Sequence, residues 1–171
     1  ENINKQIINT YKKLIIGPTK SKTLLYLITE DWFFHSHFLE RALAAKKKGF
    51  EIFICSNQNN HKELIESYGF NFKKVKFNRR SMNPFYELMI LKDIYFIYKD
   101  IQPDLVHHIA AKPIIYGSIA AKFNNIKSVI NAPTGLGFVF SSNSLKALML
   151  RPILKYLYKL MLNSHKGINL K

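Results

Sequence analysis

Apolar positions along this chain come in short blocks whose spacing switches between two periods. Ile3, Ile7, Ile8, Tyr11, Leu14 and Ile15 fall on one helical stripe that stops at Gly17-Pro18, so a short amino-terminal helix is expected within 1–22. Thr23 to Thr29 is a compact apolar run of strand length. It is followed by a helical pattern near Ser36 to Lys48 and a second strand-like run, Phe50 to Ser56. A short helix is expected around His61 to Tyr68, then a strand over Phe72 to Phe77, where apolar residues alternate. Pro84 suits a first helical turn, and Phe85 to Lys99 continues with apolar spacings of three and four. Asp104 to Ile109, Pro113 to Phe123 and Ser128 to Ala132 complete the series as strand, helix and strand.

Strands that alternate with helices of this length predict an α/β fold: a Rossmann-like parallel sheet with helices on both faces. Such sheets hold ligands beyond the carboxyl ends of their strands, which directs attention to the loops after Thr29, Ser56, Ile109 and Ala132. No repeat, low-complexity tract or Pro/Gly/Ser linker interrupts the pattern. One domain is therefore expected over 23–171, preceded by the helical extension 1–22. The 47% hydrophobic content is enough to fill its core, which argues against disorder. The single cysteine, Cys55, lies inside the apolar run FEIFICS and reads as a packed residue; no disulfide framework is possible.

The net charge of +15 changes the picture through its distribution. The acids stop at Asp104, and from Leu105 to Lys171 there are nine Lys or Arg and no Asp or Glu. Within Leu145 to Leu162, Arg151, Lys155 and Lys159 recur every fourth residue, forming a cationic stripe on an otherwise apolar helix. That pattern suits either a helix lying on an anionic membrane surface or a domain helix with a lysine-rich outer face. A charge of this size also permits nucleic-acid binding, but no RNA- or DNA-binding module signature accompanies it, so no nucleic-acid partner is expected. There is no secretory signal pattern and no uncharged run of transmembrane length, which places the chain in the cytoplasm.

Three stretches carry candidate chemistry. ITEDWFFHSHFL (28–39) gathers Glu30, Asp31, Trp32, Ser36 and His37 at a strand-to-helix turn. Ser36 is suited to cap the following helix, whereas adjacent acids at a strand's carboxyl end would face the crevice. PDLVHHIAAKPIIYGSIAAK (103–122) holds His107 and His108, which must face opposite sides of the sheet and cannot act as a pair. In the same stretch Lys112 precedes Pro113 at a helix start, where an anion could bind or the lysine could simply be solvated. NAPTGLGFVFSS (131–142) contains Gly135 and Gly137, which allow a ligand close to the backbone. Neither the G-x-G-x-x-G fingerprint nor a P-loop is present, so no nucleotide cofactor is expected.

These three stretches, together with the linker NRRSMNP (78–84), resemble the amino-terminal domain of bacterial family 4 glycosyltransferases, in the branch that builds lipopolysaccharide O-antigen and capsule sugars. The resemblance runs over roughly 23–162, in order. It implies one half of a GT-B architecture, with this half holding an isoprenoid-diphosphate-linked sugar acceptor. The second half would bind the nucleotide sugar, and transfer would keep the anomeric configuration without a required metal. It places Glu30, Asp31, Trp32, Ser36 and His37 in the loop facing the interdomain cleft, and Arg79, Arg80 and Asn83 after the third strand. His107, Lys112 and Gly117 fall in the fourth unit, with Gly135 and Gly137 beyond the fifth strand. Asp31 and His107 are expected beside the reacting hydroxyl, and Lys112, Arg79 and Arg80 on acceptor phosphate or cross-domain charge. Two departures stand out: Phe38 where the family usually has arginine, and Thr134 where many relatives have histidine.

The expected function is thus the acceptor side of a sugar transferase for cell-surface polysaccharide or lipopolysaccharide, peripheral at the inner face of the cytoplasmic membrane. The donor half is not represented in these residues, so transfer by this stretch alone is not expected and a separately encoded donor domain is a possible partner. The rival reading is a non-catalytic membrane-surface module using Arg151, Lys155 and Lys159. The first reading requires Glu30, Asp31, His107, Lys112 and Gly135 to converge on one crevice.

Overall fold

The computed structural model of the chain describes residues 21–78 and 83–134, together with residues 151, 152, 155, 156 and 159. Arg79, Arg80, Gly135, Gly137, the expected helix within 1–22 and most of the basic helix of 145–162 lie outside the described residues. The elements follow in the order β1 (Thr23–Glu30), α1 (Asp31–His37), α2 (Leu39–Lys47), β2 (Glu51–Asn57), α3 (Lys62–Ser67) and β3 (Asn71–Lys74). Then come α4 (Pro84–Ile101), β4 (Leu105–Ile109), α5 (Ala111–Phe123) and β5 (Ser128–Ala132).

The strands form one parallel sheet in the order β3-β2-β1-β4-β5. The chain moves outward from β1 to β3, then returns to add β4 and β5 on the other side. Its direction of winding therefore reverses between β1 and β4, and the carboxyl ends of those two strands flank the crevice where such sheets take ligands. Parallel neighbours require long crossovers, and here helices make them.

Burial along β1 shows why its sequence is apolar without alternation. Leu25 and Leu27 enter the core shared with α4 and α5, while Leu24, Tyr26 and Ile28 enter the core shared with α1, α2 and α3. A strand covered on both faces has no polar side to expose. Cys55 is buried and free in the first of these cores, where burial pushes its thiol up.

Two boundaries differ from the sequence expectation. The helix after β1 starts at Asp31 and not near Ser36, and it is interrupted at Phe38, whose φ of −123° separates α1 from α2. Ser36 consequently sits in the last turn of α1, where its hydroxyl donates to the Trp32 carbonyl at 2.9 Å; it caps nothing. β3 ends at Lys74, short of the expected Phe77. Beyond it the Phe77 N–H turns to the side-chain oxygen of Asn57 at 2.7 Å, which takes the place of a ladder bond. Helix α4 begins as expected: Pro84 occupies its first turn and the Asn83 side chain accepts the Phe85 N–H at 3.1 Å.

Candidate functional site

The carboxyl end of β1 delivers Glu30 and Asp31 to the sheet edge, but their two carboxylates have different surroundings. Asp31 is fully buried. Its Oδ1 accepts the Trp32 N–H at 2.7 Å and the Asn59 side-chain amide at 3.1 Å; its Oδ2 accepts the backbone N–H groups of Asn59 at 2.7 Å and His61 at 3.2 Å. A buried carboxylate needs such donors to offset its desolvation, and here they come from the loop between β2 and α3. Asp31 therefore holds that loop against β1. Asp31, expected beside a reacting hydroxyl, is here turned to the donors of that loop, with both oxygens bonded and the side chain buried.

Glu30 is only partly buried. Its Oε2 accepts from the Asn59 amide at 2.9 Å, and its Oε1 lies 3.4 Å from the Asn57 amide. A register shift between Leu27 and Glu30 brings Glu30 opposite Asn57. Asn57 also clasps Phe77, donating to its carbonyl at 3.0 Å. Asn57 and Asn59 are site residues that the sequence reading passed over. Their signal was the polar run SNQNN directly after the apolar run of β2, at the edge where ligands bind.

The second part of the edge is built on Lys112, in the first turn of α5. Its ammonium donates to the Asn78 carbonyl at 2.7 Å and pairs with Glu87 at 2.6 Å. The other Glu87 oxygen accepts the Tyr116 hydroxyl at 2.6 Å. Burial, and then the bond and charge of Glu87, push the Tyr116 phenol up, so it remains a donor. Lys112 is thus neither solvated nor an open anion site at a helix start: it ties the segment after β3 to α4 and α5. Asn78 immediately precedes Arg79 and Arg80, so Lys112 fixes the point from which those arginines depart. Together, Glu30–Asn57–Phe77 and Asn78–Lys112–Glu87–Tyr116 form a nearly continuous chain of contacts along the carboxyl edge.

His107 does not join this edge network. Its ring lies against Tyr26 at 5.3 Å and Phe38 at 5.7 Å, on the face of the sheet covered by α1 and α2, whereas Lys112 bonds toward α4. Burial, with a smaller push from Arg41, lowers its pKa from 6.5 to about 4, so the imidazole is neutral. His108 points to the opposite face as expected and is fully buried. Its Nε2 meets the Tyr98 hydroxyl at 2.8 Å and its Nδ1 the Asn131 side-chain oxygen at 2.8 Å. Gly117, placed by resemblance in the same unit, packs directly against this ring. Its role here is to leave room for His108.

Among the remaining expected residues, Trp32 is exposed at the start of α1, beside Glu30. Ser36 and His37 are exposed at the far end of that helix; they bond to each other at 2.7 Å, and His37 stacks on Phe33 at 4.3 Å. Lys155 and Lys159 are exposed and helical, while Arg151 is partly buried. Among the described residues no three His, Cys, Asp or Glu are grouped to hold a metal, and no helix is long and apolar enough to cross a membrane.

Comparison with known proteins adds a decisive match: residues 23–168 fit the model of a family described as glycosyl transferase 4-like. The chain belongs to that family. A curated relative, an N,N'-diacetylbacillosaminyl-diphospho-undecaprenol alpha-1,3-N-acetylgalactosaminyltransferase of Campylobacter jejuni, is 28% identical over 120 residues, covering 68% of this chain and 31% of that protein. The chain thus spans about a third of the relative's length. Among solved structures, a glycosyltransferase from Rickettsia africae superposes with a TM-score of 0.56 at 21% identity, over 87% of this chain and 41% of the other. A putative UDP-N-acetylglucosamine 2-epimerase from Listeria monocytogenes gives 0.53 at 11% identity, over 87% and 44%. A transferase and an epimerase on one scaffold show that these likenesses establish the Rossmann-like fold alone.

Within the glycosyl transferase 4-like family, the departure at position 38 has a structural counterpart. Phe38 is buried under α1 and α2, and the Arg41 guanidinium, one turn later, lies 5.2 Å over its ring. Thr134, the other departure, is exposed beyond β5.

Proposed function

We propose that this chain forms the acceptor-side half of a glycosyltransferase that moves a sugar from a nucleotide sugar to a lipid-linked saccharide in the synthesis of cell-surface polysaccharide. The observation that carries this reading is the polar edge at the β1–β4 switch point, in a chain that the family model matches along most of its length. The partly buried Glu30 carboxylate, held by Asn57 and keeping lone pairs beyond those its amide neighbours use, and the exposed Asn59 offer groups suited to sugar hydroxyls, and the exposed Trp32 indole offers a face on which a sugar ring can lie. Arg79 and Arg80, which follow the Lys112-bound Asn78 in the sequence, supply positive charge for the acceptor's diphosphate.

In this reading the acceptor hydroxyl attacks the anomeric carbon and the nucleotide diphosphate leaves. This half contributes orientation of the acceptor and stabilisation of charge. Asp31 and Lys112 are positioning residues: one fixes the loop bearing Asn59, the other the segment leading to Arg79. The test is calorimetric titration of the chain with a short-chain, water-soluble polyprenyl-diphosphate-linked disaccharide. Saturable binding is expected, weakened at least about tenfold by Asn59→Ala or Glu30→Gln, the loss of one or two sugar hydrogen bonds. Absence of binding, or binding indifferent to both changes, would overturn the reading.

A further inference from the structure

Helix α4 is apolar on more sides than its place in the fold requires. Its inner face, Ile90, Ile94 and Tyr98, is buried in the core. On its outer face Phe85 is 73%, Leu88 62%, Met89 52% and Phe96 51% exposed. At 3.6 residues per turn these four positions and the exposed Lys92 and Lys99 fall within about 100° of arc, a stripe about 16 Å long from Phe85 to Phe96. Asn124 bonds the Tyr95 carbonyl at 3.2 Å, which brings the end of α5 to the flank of this stripe. There Phe123 is 72% exposed beside the exposed Lys122.

A helix that is hydrophobic all round is normally buried on all sides. Four large apolar residues in one row form a patch that water does not favour, and such patches mark protein or membrane contacts. Charge decides between those occupants. The stripe carries Lys92 and Lys99 inside it and Lys122 at its flank, with Asp93 and Asp100 exposed along the opposite border. A second copy would bring together two such cationic stripes, each on a chain of net charge +15. An anionic bilayer instead meets the lysines with lipid phosphates while their stems lie along the apolar row.

We propose that the outer stripe of α4, Phe85, Leu88, Met89 and Phe96 with Lys92 and Lys99, is the surface by which this chain lies on an anionic lipid bilayer. Its orientation then serves the proposed function, on which only this last step rests. Phe85 is one turn or less from Glu87, which pairs with Lys112 at the carboxyl edge, so the apolar stripe begins where the polar edge network ends. A lipid-linked saccharide anchored in the same bilayer would present its headgroup beside the crevice.

The test is sedimentation with vesicles of phosphatidylglycerol and phosphatidylethanolamine, against vesicles of phosphatidylcholine alone. The chain is expected to bind the first set and release in high salt. Lys92→Gln/Lys99→Gln should weaken binding about thirtyfold, the product of about a fivefold factor for each lysine. Leu88→Gln/Phe96→Gln should abolish it, with an unchanged melting temperature because both residues are exposed. Binding unaffected by these changes, equal binding to phosphatidylcholine, or an apo dimer that the Leu88/Phe96 variant turns into a monomer would each overturn the proposal. Titration of the same variants with the water-soluble acceptor separates the two ideas. Lost vesicle binding with retained headgroup binding supports both; retained vesicle binding dependent on α4 with no headgroup binding defeats only the acceptor reading.

Discussion

Replacing Gly117 by alanine should be among the most damaging single-methyl additions to this domain. A Cβ on Gly117 would stand 2.5 Å from His108 Nε2, 2.6 Å from Cδ2 and 2.9 Å from Cε1, well inside contact distance. The ring has nowhere to move. The Asn131 oxygen accepts from Nδ1, which assigns the proton to that nitrogen and leaves Nε2 to accept from the Tyr98 hydroxyl, both at 2.8 Å. Overpacking costs about 1–3 kcal/mol. Displacing the ring leaves a buried hydroxyl or amide poorly paired, about 1–3 kcal/mol more. Alanine's better helix propensity returns about 1 kcal/mol. The net loss is about 1–5 kcal/mol, to be read from urea unfolding. In a His108→Ala background the ring is gone, and the same Gly117→Ala change should then stabilise by about 1 kcal/mol. Equal effects of Gly117→Ala in the two backgrounds would refute the assignment of Gly117 to His108.

Asp31→Asn should destabilise by about 2–3 kcal/mol, because each carboxylate oxygen accepts two N–H bonds and an amide nitrogen put in place of either would face donors. Acceptor binding should fall only as the folded fraction falls, so a binding loss at unchanged melting temperature would return Asp31 to the chemistry. His107, with its pKa lowered from 6.5 to about 4, binds its proton more readily in the unfolded chain; stability should therefore rise with pH between those values and be flat above. The ceiling is about 3 kcal/mol, cut to about 1–2 by solvent screening of a half-buried ring. His107→Gln should remove that slope, and an unchanged slope relative to the parent would refute the burial argument. Glu87→Gln should let the Tyr116 phenol relax downward toward its ordinary 10.0, a shift seen by ultraviolet titration; burial alone would leave it where it is.

The order of elements was legible because it rests on local periodicity. Apolar runs of strand length alternate with helical stripes, and the parallel sheet follows from that alternation. The opposite facing of His107 and His108 was legible for the same reason, since neighbours on a strand diverge. What escaped lies between segments. The DWFFHSH stretch has too few residues to show a helical period, and Ser36 resembled a cap more than a last-turn serine. The Lys112–Glu87 pair joins two helices 25 positions apart, so neither partner marks the other in the sequence. Asn57 and Asn59 looked like loop composition. Only the bend at Glu30 and the path of the chain past Phe77 reveal that both hold the edge together.

The strain in the fold sits at the same switch point. Ala110 connects β4 to α5 with φ of 79° and ψ of 167°, a region that side chains rarely enter and that costs about 1–3 kcal/mol. The conformation is held by the Ala110 N–H bonding the Ala132 carbonyl at 3.2 Å and by the Ile114 N–H bonding the Ala110 carbonyl at 3.0 Å. The chain leaves β4 abruptly as a result, and Lys112 begins a helix on the α4 side within three residues of the strand end. Buried Asp31 on one side of the switch point and strained Ala110 on the other act alike: each gives up local stability to fix a loop before any ligand arrives. A crevice arranged in this way loses little further freedom on binding, which is the condition under which a few sugar hydrogen bonds can give useful affinity.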